Sequence, residues 1–159
     1  MDSRELRNAL GRFATGVTVV TCRGEDRPHG LTVNSFTSVS LDPPLVLVSI
    51  DRRANAVPYL TGRPFAVNIL AAGQEDLAWH FAGRAQPDLE VAWVEGRLCP
   101  RLAHSLAYFE CSPWRAYDGG DHVLFLGRVE EFAYGQGEPL VFYASRMTRL
   151  VPPGPQPER

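Results

Sequence analysis

A chain of 159 residues, 45% of them hydrophobic, has the size of one ordinary domain and enough apolar side chains to fill its core. Its formal charge of −2 excludes the strongly basic surface typical of a nucleic-acid binder. All 16 basic residues are arginine, which rules out lysine Schiff-base chemistry and leaves Arg or His as the cationic side chains for any phosphate.

Asp2 followed by Glu5 has the form of a capping box. Leu6, Ala9, Leu10 and Phe13 then share one helical face, which predicts a short amphipathic helix over residues 3–13. The β-branched run GVTVVTC (16–22) reads as a strand, and RGEDRPHG as a turn. Residues 30–41 and 44–50 read as two strands parted by LDPP, where Pro43 and Pro44 cannot donate to a ladder. A turn or two of helix is expected over 52–60 and a strand over 64–70. A second helix is expected over 73–83, with Gly83 as its C-cap. Residues 84–97 look irregular. Three strands follow, over 104–117, 119–135 and 139–147, and the proline-rich tail 151–159 is expected to be disordered. Many strands with few short helices predict one mainly β domain over residues 1–150, a closed or split barrel.

Cys22, Cys99 and Cys111 are odd in number, widely spaced and without a CxxC, so neither a disulfide framework nor a zinc site is expected. The charged first residues do not read as a signal peptide, and no apolar run reaches the roughly 18 residues of a membrane span. A cytoplasmic setting is the expectation.

The stretch GLTVNSFTSVSLDPP is unusually polar for a strand. Read as one strand, it turns Thr32, Asn34, Phe36, Ser38 and Ser40 to one face, and Val33, Ser35, Thr37 and Val39 to the other. That row is either a solvated outer face or a surface for a flat heterocycle bearing carbonyls and ring nitrogens. SIDRRAN (49–55) could gather Ser49, Arg52, Arg53 and Asn55 around a phosphate, or be a turn with solvated arginines. In WHFAGR, Trp79 and Phe81 read as core, His80 as a satisfied histidine, and Arg84 as free to reach outward. YDGGDH brings Asp121 and His122 to the start of a strand, either as a rim histidine able to bond an amide or phosphate, or as an incidental pair at a hairpin turn. No spacing matches a metal site, and the sequence lacks GxSxG, P-loop, HExxH and GxGxxG-acid motifs.

Taken in order, LRNALGRFATGVTVVT, T-x-N-S-F-x-S-V-S-x-x-P-P-L, FAVNIL, QEDLAWHFAGR, GDHVLFLGRVEEF and PLVFY resemble the short-chain flavin reductases, the small partners of two-component flavin-dependent monooxygenases. The likeness covers about residues 4–150. It implies a split β-barrel, a homodimer, FMN or FAD as flavin, and NADH or NADPH as hydride donor. By position, it implies that Thr32, Val33, Asn34 and Ser35 line the flavin ring and that Ser38 and Ser40 face its ribityl or phosphate side. It assigns Ser49, Asp51, Arg52 and Asn55 to a second contact segment, Phe81 and Arg84 to a third, and Arg146 to the flavin's vicinity. His122, the histidine of GDH, would stand beside the nicotinamide. Two other readings remain: a flavin binder without turnover, and an FMN-dependent reductase of another acceptor.

Overall fold

A computed structural model describes residues 1–151, Pro155, Pro157 and Glu158. The expectation for the proline-rich tail falls mostly on residues outside that set.

In chain order the elements are α1 (Ser3–Leu10), β1 (Thr15–Gly16), β2 (Thr18–Arg23), β3 (Pro28–Val33), β4 (Phe36–Leu41) and β5 (Pro44–Asp51). Next come α2 (Val57–Leu60), β6 (Phe65–Ile69), a 3₁₀ turn (Ala72–Gln74), α3 (Glu75–His80), β7 (Trp93–Glu95) and β8 (Pro100–Leu102). The long strands β9 (Ala107–Gly119) and β10 (His122–Tyr134) follow, then β11 (Leu140–Tyr143) and β12 (Arg146–Arg149).

Seven strands form one antiparallel sheet in the order β3-β2-β6-β9-β10-β5-β4. Its two edges, β3 and β4, are consecutive in the chain and separated only by Asn34 and Ser35. A flat sheet would hold those edges about 29 Å apart, at about 4.8 Å per strand spacing. Three Cα steps span at most about 11 Å. The sheet must therefore curl until its edges meet, and a split barrel results. No main-chain ladder joins β3 to β4. At the break, a side chain extends the β4–β5 pairing by one residue: Ser35 Oγ donates to the Ser49 carbonyl (2.7 Å) and accepts from the Ser49 amide (3.1 Å).

This seam corrects the reading of residues 30–41 as one strand. The break at Asn34–Ser35 sends Thr32 and Ser38 to opposite edges of the sheet, so the polar residues do not form a single row. Most of their partners are protein. Thr32 Oγ1 donates to the Ala78 carbonyl (2.6 Å), and Thr18 Oγ1 donates to the Val33 carbonyl at the end of β3 (2.9 Å).

Two cores flank the barrel wall. Inside lie Val20, Cys22, Val46, Val48, Ile50, Phe65, Val67 and Phe125. Outside, Val17, Val19, Leu70, Ala78, Leu102 and Leu140 pack beneath α3, β8 and β11. β2 is thus buried on both faces, which explains its unbroken β-branched run. Asn68 ties the layers together. Its amide donates to the Val19 carbonyl (2.9 Å) and to Thr21 Oγ1 (3.0 Å), and its Oδ1 accepts from the Leu102 amide (2.9 Å). Glu110, fully buried, accepts from the Leu98 amide (2.9 Å).

Other expectations shift at their ends. The first helix stops at Leu10; Asp2 caps it, accepting from the amides of Arg4 (2.9 Å) and Glu5 (3.4 Å). Only Val57–Leu60 of 52–60 is helical, and α3 ends at His80 with Phe81 as its cap, while Gly83 takes a left-handed φ of 88° just beyond. Residues 93–95 pair with 100–102, so the segment read as irregular contains a strand. The strand expected over 139–147 is a hairpin, turned at Ala144 and Ser145 with φ of 48° and 65°. Among the described residues no helix is long and apolar enough to cross a membrane.

The three cysteines are free and buried. Burial pushes the Cys22 thiol up to about 11 and those of Cys99 and Cys111 to about 12. A thiol reagent at pH 8 should therefore label none of the three in the native protein and all three in denaturant; native labelling of any one would contradict the packing. Ser35→Ala should lower unfolding free energy by about 1–2 kcal/mol in urea melts, while Ser38→Ala, exposed and unbonded, should stay within about 0.5 kcal/mol.

Candidate functional site: a cleft at the barrel seam

The seam that closes the barrel also opens it to solvent. On one side of the Thr32–Asn34 segment lies a cleft of about 280 Å³, lined by Leu31, Thr32, Val33, Asn34, Ser35, Ser49, Asp51, Ala54 and His122. On the other lies an apolar cleft of about 190 Å³, whose walls include Val17, Trp79, Ala82, Phe142 and Met147. Both share Thr32, Val33 and Asn34, and together they have the scale of a small-molecule site.

The main-chain amides of Asn34 and Ser35 make no hydrogen bond among the described residues. The break takes them out of both ladders and leaves them at the cleft wall. An unpaired amide is costly unless water or a ligand meets it. Two free amides beside an apolar wall fit the edge of a flat heteroaromatic ring with carbonyl and ring-nitrogen acceptors. A flavin ring has such an edge, so the residues present fit one.

His122 opens β10 directly after the Gly120–Asp121 turn and pairs across the ladders with Gly119 and with Asp51, the last residue of β5. Its Nδ1 lies 2.7 Å from Asp121 Oδ1, and its side chain is 40% exposed, so the imidazole stands at an open rim. Asp51 accepts from the Arg53 amide (2.8 Å), from Arg53 Nε (3.2 Å) and, through Oδ2, from Arg53 Nη2 (3.0 Å). Those bonds hold its carboxyl down at about 2, with a smaller contribution from the charge of His122. Asp51 is therefore an anion at any physiological pH.

The structure brings together Thr32, Val33, Asn34, Ser35, Ser49, Asp51 and His122. It leaves the other candidate residues outside the two clefts. Ser38 is exposed and Ser40 half-buried on the edge strand β4. Asn55 lines a separate polar hollow with Arg27, His29 and Tyr59. The Arg52 side chain turns to the β9–β10 turn, where Nε donates to the Gly120 carbonyl (2.7 Å) and Nη2 pairs with Asp118. Arg146 is exposed at the start of β12, next to the cleft residue Met147.

Phe81 packs into the outer core, edge-on to Trp93 at 5.8 Å. Its ring sits where a Cβ on Gly30 would come within 2.7 Å, so glycine there is required for the contact. Trp79, read as core, lines the cleft, and the Arg84 guanidinium lies 4.4 Å from its ring centroid. An Arg five residues after a Trp at a helix end is the only signal in the sequence for that pair. His80 is satisfied, accepting from the Gln86 amide at Nδ1 (3.0 Å). The cleft contributions of Phe142 and Met147 carry no local signal, because they come from a hairpin that packs alongside only in the folded chain.

Comparison with known proteins agrees with this geometry. An NADH-dependent flavin reductase of a Rhodococcus species is 48% identical over 150 residues, covering 91% of this chain and 85% of the relative. The reductase component of a 4-hydroxyphenylacetate 3-monooxygenase from Thermus thermophilus is 42% identical, covering 92% and 96%. An NADH:FAD oxidoreductase from Streptomyces globisporus, solved with NAD and FAD fragments, superimposes with a TM-score of 0.88 at 44% identity, over 95% of this chain and 94% of that one. Residues 10–150 match the family described as flavin reductase like domain, and the chain belongs to that family.

Proposed function

We propose that this protein oxidises NADH, reduces FMN or FAD, and supplies the reduced flavin to a partner monooxygenase. The single observation that carries the reading is the His122 rim standing open over a cleft whose wall presents the free amides of Asn34 and Ser35. The names of the relatives, NADH-dependent flavin reductases and monooxygenase reductase components, support the same reaction.

A bound flavin would supply the chemistry itself, accepting hydride from the nicotinamide. The chain's part is binding and orientation. The Asn34 and Ser35 amides would meet the ring's polar edge, and Val33 with the Trp79 wall would offer it apolar contact. Ser49 and Ser35 hold the wall in place through their mutual bonds. The Asp121 carboxylate keeps the His122 ring oriented at the rim, where it can bond the nicotinamide amide. No side-chain nucleophile or base is required; near-attack stacking of two rings is what the site must achieve.

Purified protein with NADH and added FMN or FAD should oxidise NADH at a rate that rises with free flavin. His122→Ala should cut kcat/KM for NADH by about tenfold to a hundredfold and leave the flavin Kd within about twofold. Yellow protein that oxidises no more NADH than free flavin alone would overturn the reading in favour of a flavin binder.

The protein also acts as a homodimer in this proposal. α1 buries none of its residues, and Leu10 is 65% and Phe13 79% exposed. Phe132 (61%) and Tyr134 (77%) are likewise exposed at the end of β10. A second copy of the chain is the cover that the family resemblance supports. Light scattering should return twice the 17.6 kDa chain mass, and Phe13→Asp with Leu10→Asp should return the single mass; a monomeric parent protein would refute the dimer.

A further inference from the structure

We infer that Arg52 is a positioning residue for His122, acting through the β9–β10 turn rather than on a flavin phosphate. The inference rests on the reading that His122 meets the nicotinamide.

Three bonds run from Arg52 to that turn. Its backbone amide donates to the Asp121 carbonyl (3.0 Å), its Nε donates to the Gly120 carbonyl (2.7 Å), and its Nη2 pairs with Asp118. They span the turn from the residue before Gly119 to the residue before His122. The β9–β10 ladder closes the hairpin at Gly119 and His122 and leaves Gly120 and Asp121 between them unpaired. Gly119 and Gly120 are adjacent, and Gly120 has a left-handed φ of 76°. Such a pair is the freest backbone a chain can offer. Asp118 is 82% exposed, so its ion pair with Arg52 contributes little by itself. The directional bonds to the two carbonyls tie the two residues that the ladder leaves unpaired, Gly120 and Asp121, to the end of β5. Asp121, whose carbonyl is one of them, also places its carboxylate 2.7 Å from His122 Nδ1. Arg52 thus fixes both the backbone that carries the imidazole and the group that orients it. Its guanidinium Nε and Nη2 are engaged in the process, while Arg53, one residue on, is directed to Asp51.

The test pairs Arg52→Gln with Asp118→Asn, and uses Arg53→Gln as the charge control, since it removes an equal charge from a side chain that makes no hydrogen bond to the turn. In ligand-free protein, amide exchange at Gly120–His122 should quicken about tenfold or more in Arg52→Gln, less in Asp118→Asn, and not in Arg53→Gln. In turnover, Arg52→Gln should lower kcat/KM for NADH about tenfold, with Kd for FMN and for riboflavin each within about twofold. In a His122→Ala background the same substitution should add less than about twofold, because both act through one group. A selective loss of FMN over riboflavin binding would make Arg52 a phosphate ligand and overturn the inference. Unchanged exchange at the turn, or full additivity with His122→Ala, would do the same. Should Arg52→Gln not fold, Asp118→Asn removes one anchor from an exposed position and decides by the same exchange and kinetic readouts. Should the parent protein oxidise no NADH, the proposed function fails, and the exchange arm still tests the clamp.

Discussion

Everything in this molecule depends on a chain too short for its sheet. Two residues separate the strands that form opposite edges of a seven-stranded sheet, and about 11 Å of backbone cannot bridge the width of seven flat strands. Closure follows from connectivity alone. What connectivity cannot supply is a ladder at the seam, because Asn34 and Ser35 belong to neither strand. Ser35 instead prolongs the β4–β5 pairing into the break, with one hydroxyl that both donates and accepts against Ser49. The same departure from regular pairing leaves main-chain amides free where a ligand can reach them. The structural weak point and the cleft wall are one feature.

The rim shows how a mobile type of backbone is made specific. Two glycines let the β9–β10 turn pass tightly, and an arginine just past the end of β5 holds its carbonyls. Exposed ion pairs count for little here, since solvent screens them and long side chains lose entropy in forming them. Hydrogen bonds to fixed carbonyls carry direction, and direction is what a rim histidine needs. Deeper in the fold, buried polar groups do related work. Asn68 uses both ends of its amide to bind two layers, and Glu110 holds the loop that leads into β8. Neither is costly, because each is partnered within the protein.

Much of this was legible in the residues. Asp2 announced a helix start, LDPP a strand connection, and GDH a strand beginning at a turn. The mainly β character, the reduced cysteines and the gathering of 32–35 with Ser49, Asp51 and His122 agree with the sequence and its family resemblance. The failures share one cause. Reading 30–41 as a single strand treated alternation as if it ran through Asn34–Ser35, although a polar pair can equally mark a seam. Trp79 was read as core by hydrophobicity and lines the cleft. The fit of the Phe81 ring over Gly30 decides that arrangement, and no local pattern encodes it.

The sequence by itself determined what depends on near neighbours: where helices are capped, where glycine and proline end strands, which residues alternate, and which chemistry the side chains can offer. Such preferences act within a few residues and are written in their order. Tertiary structure alone decided which edges meet, which arginine reaches the turn, and which residues from α3 and the β11–β12 hairpin complete the cleft wall. Those choices join residues tens of positions apart. They are settled by packing and by the pairing of buried polar groups over the whole chain, and no segment carries them alone.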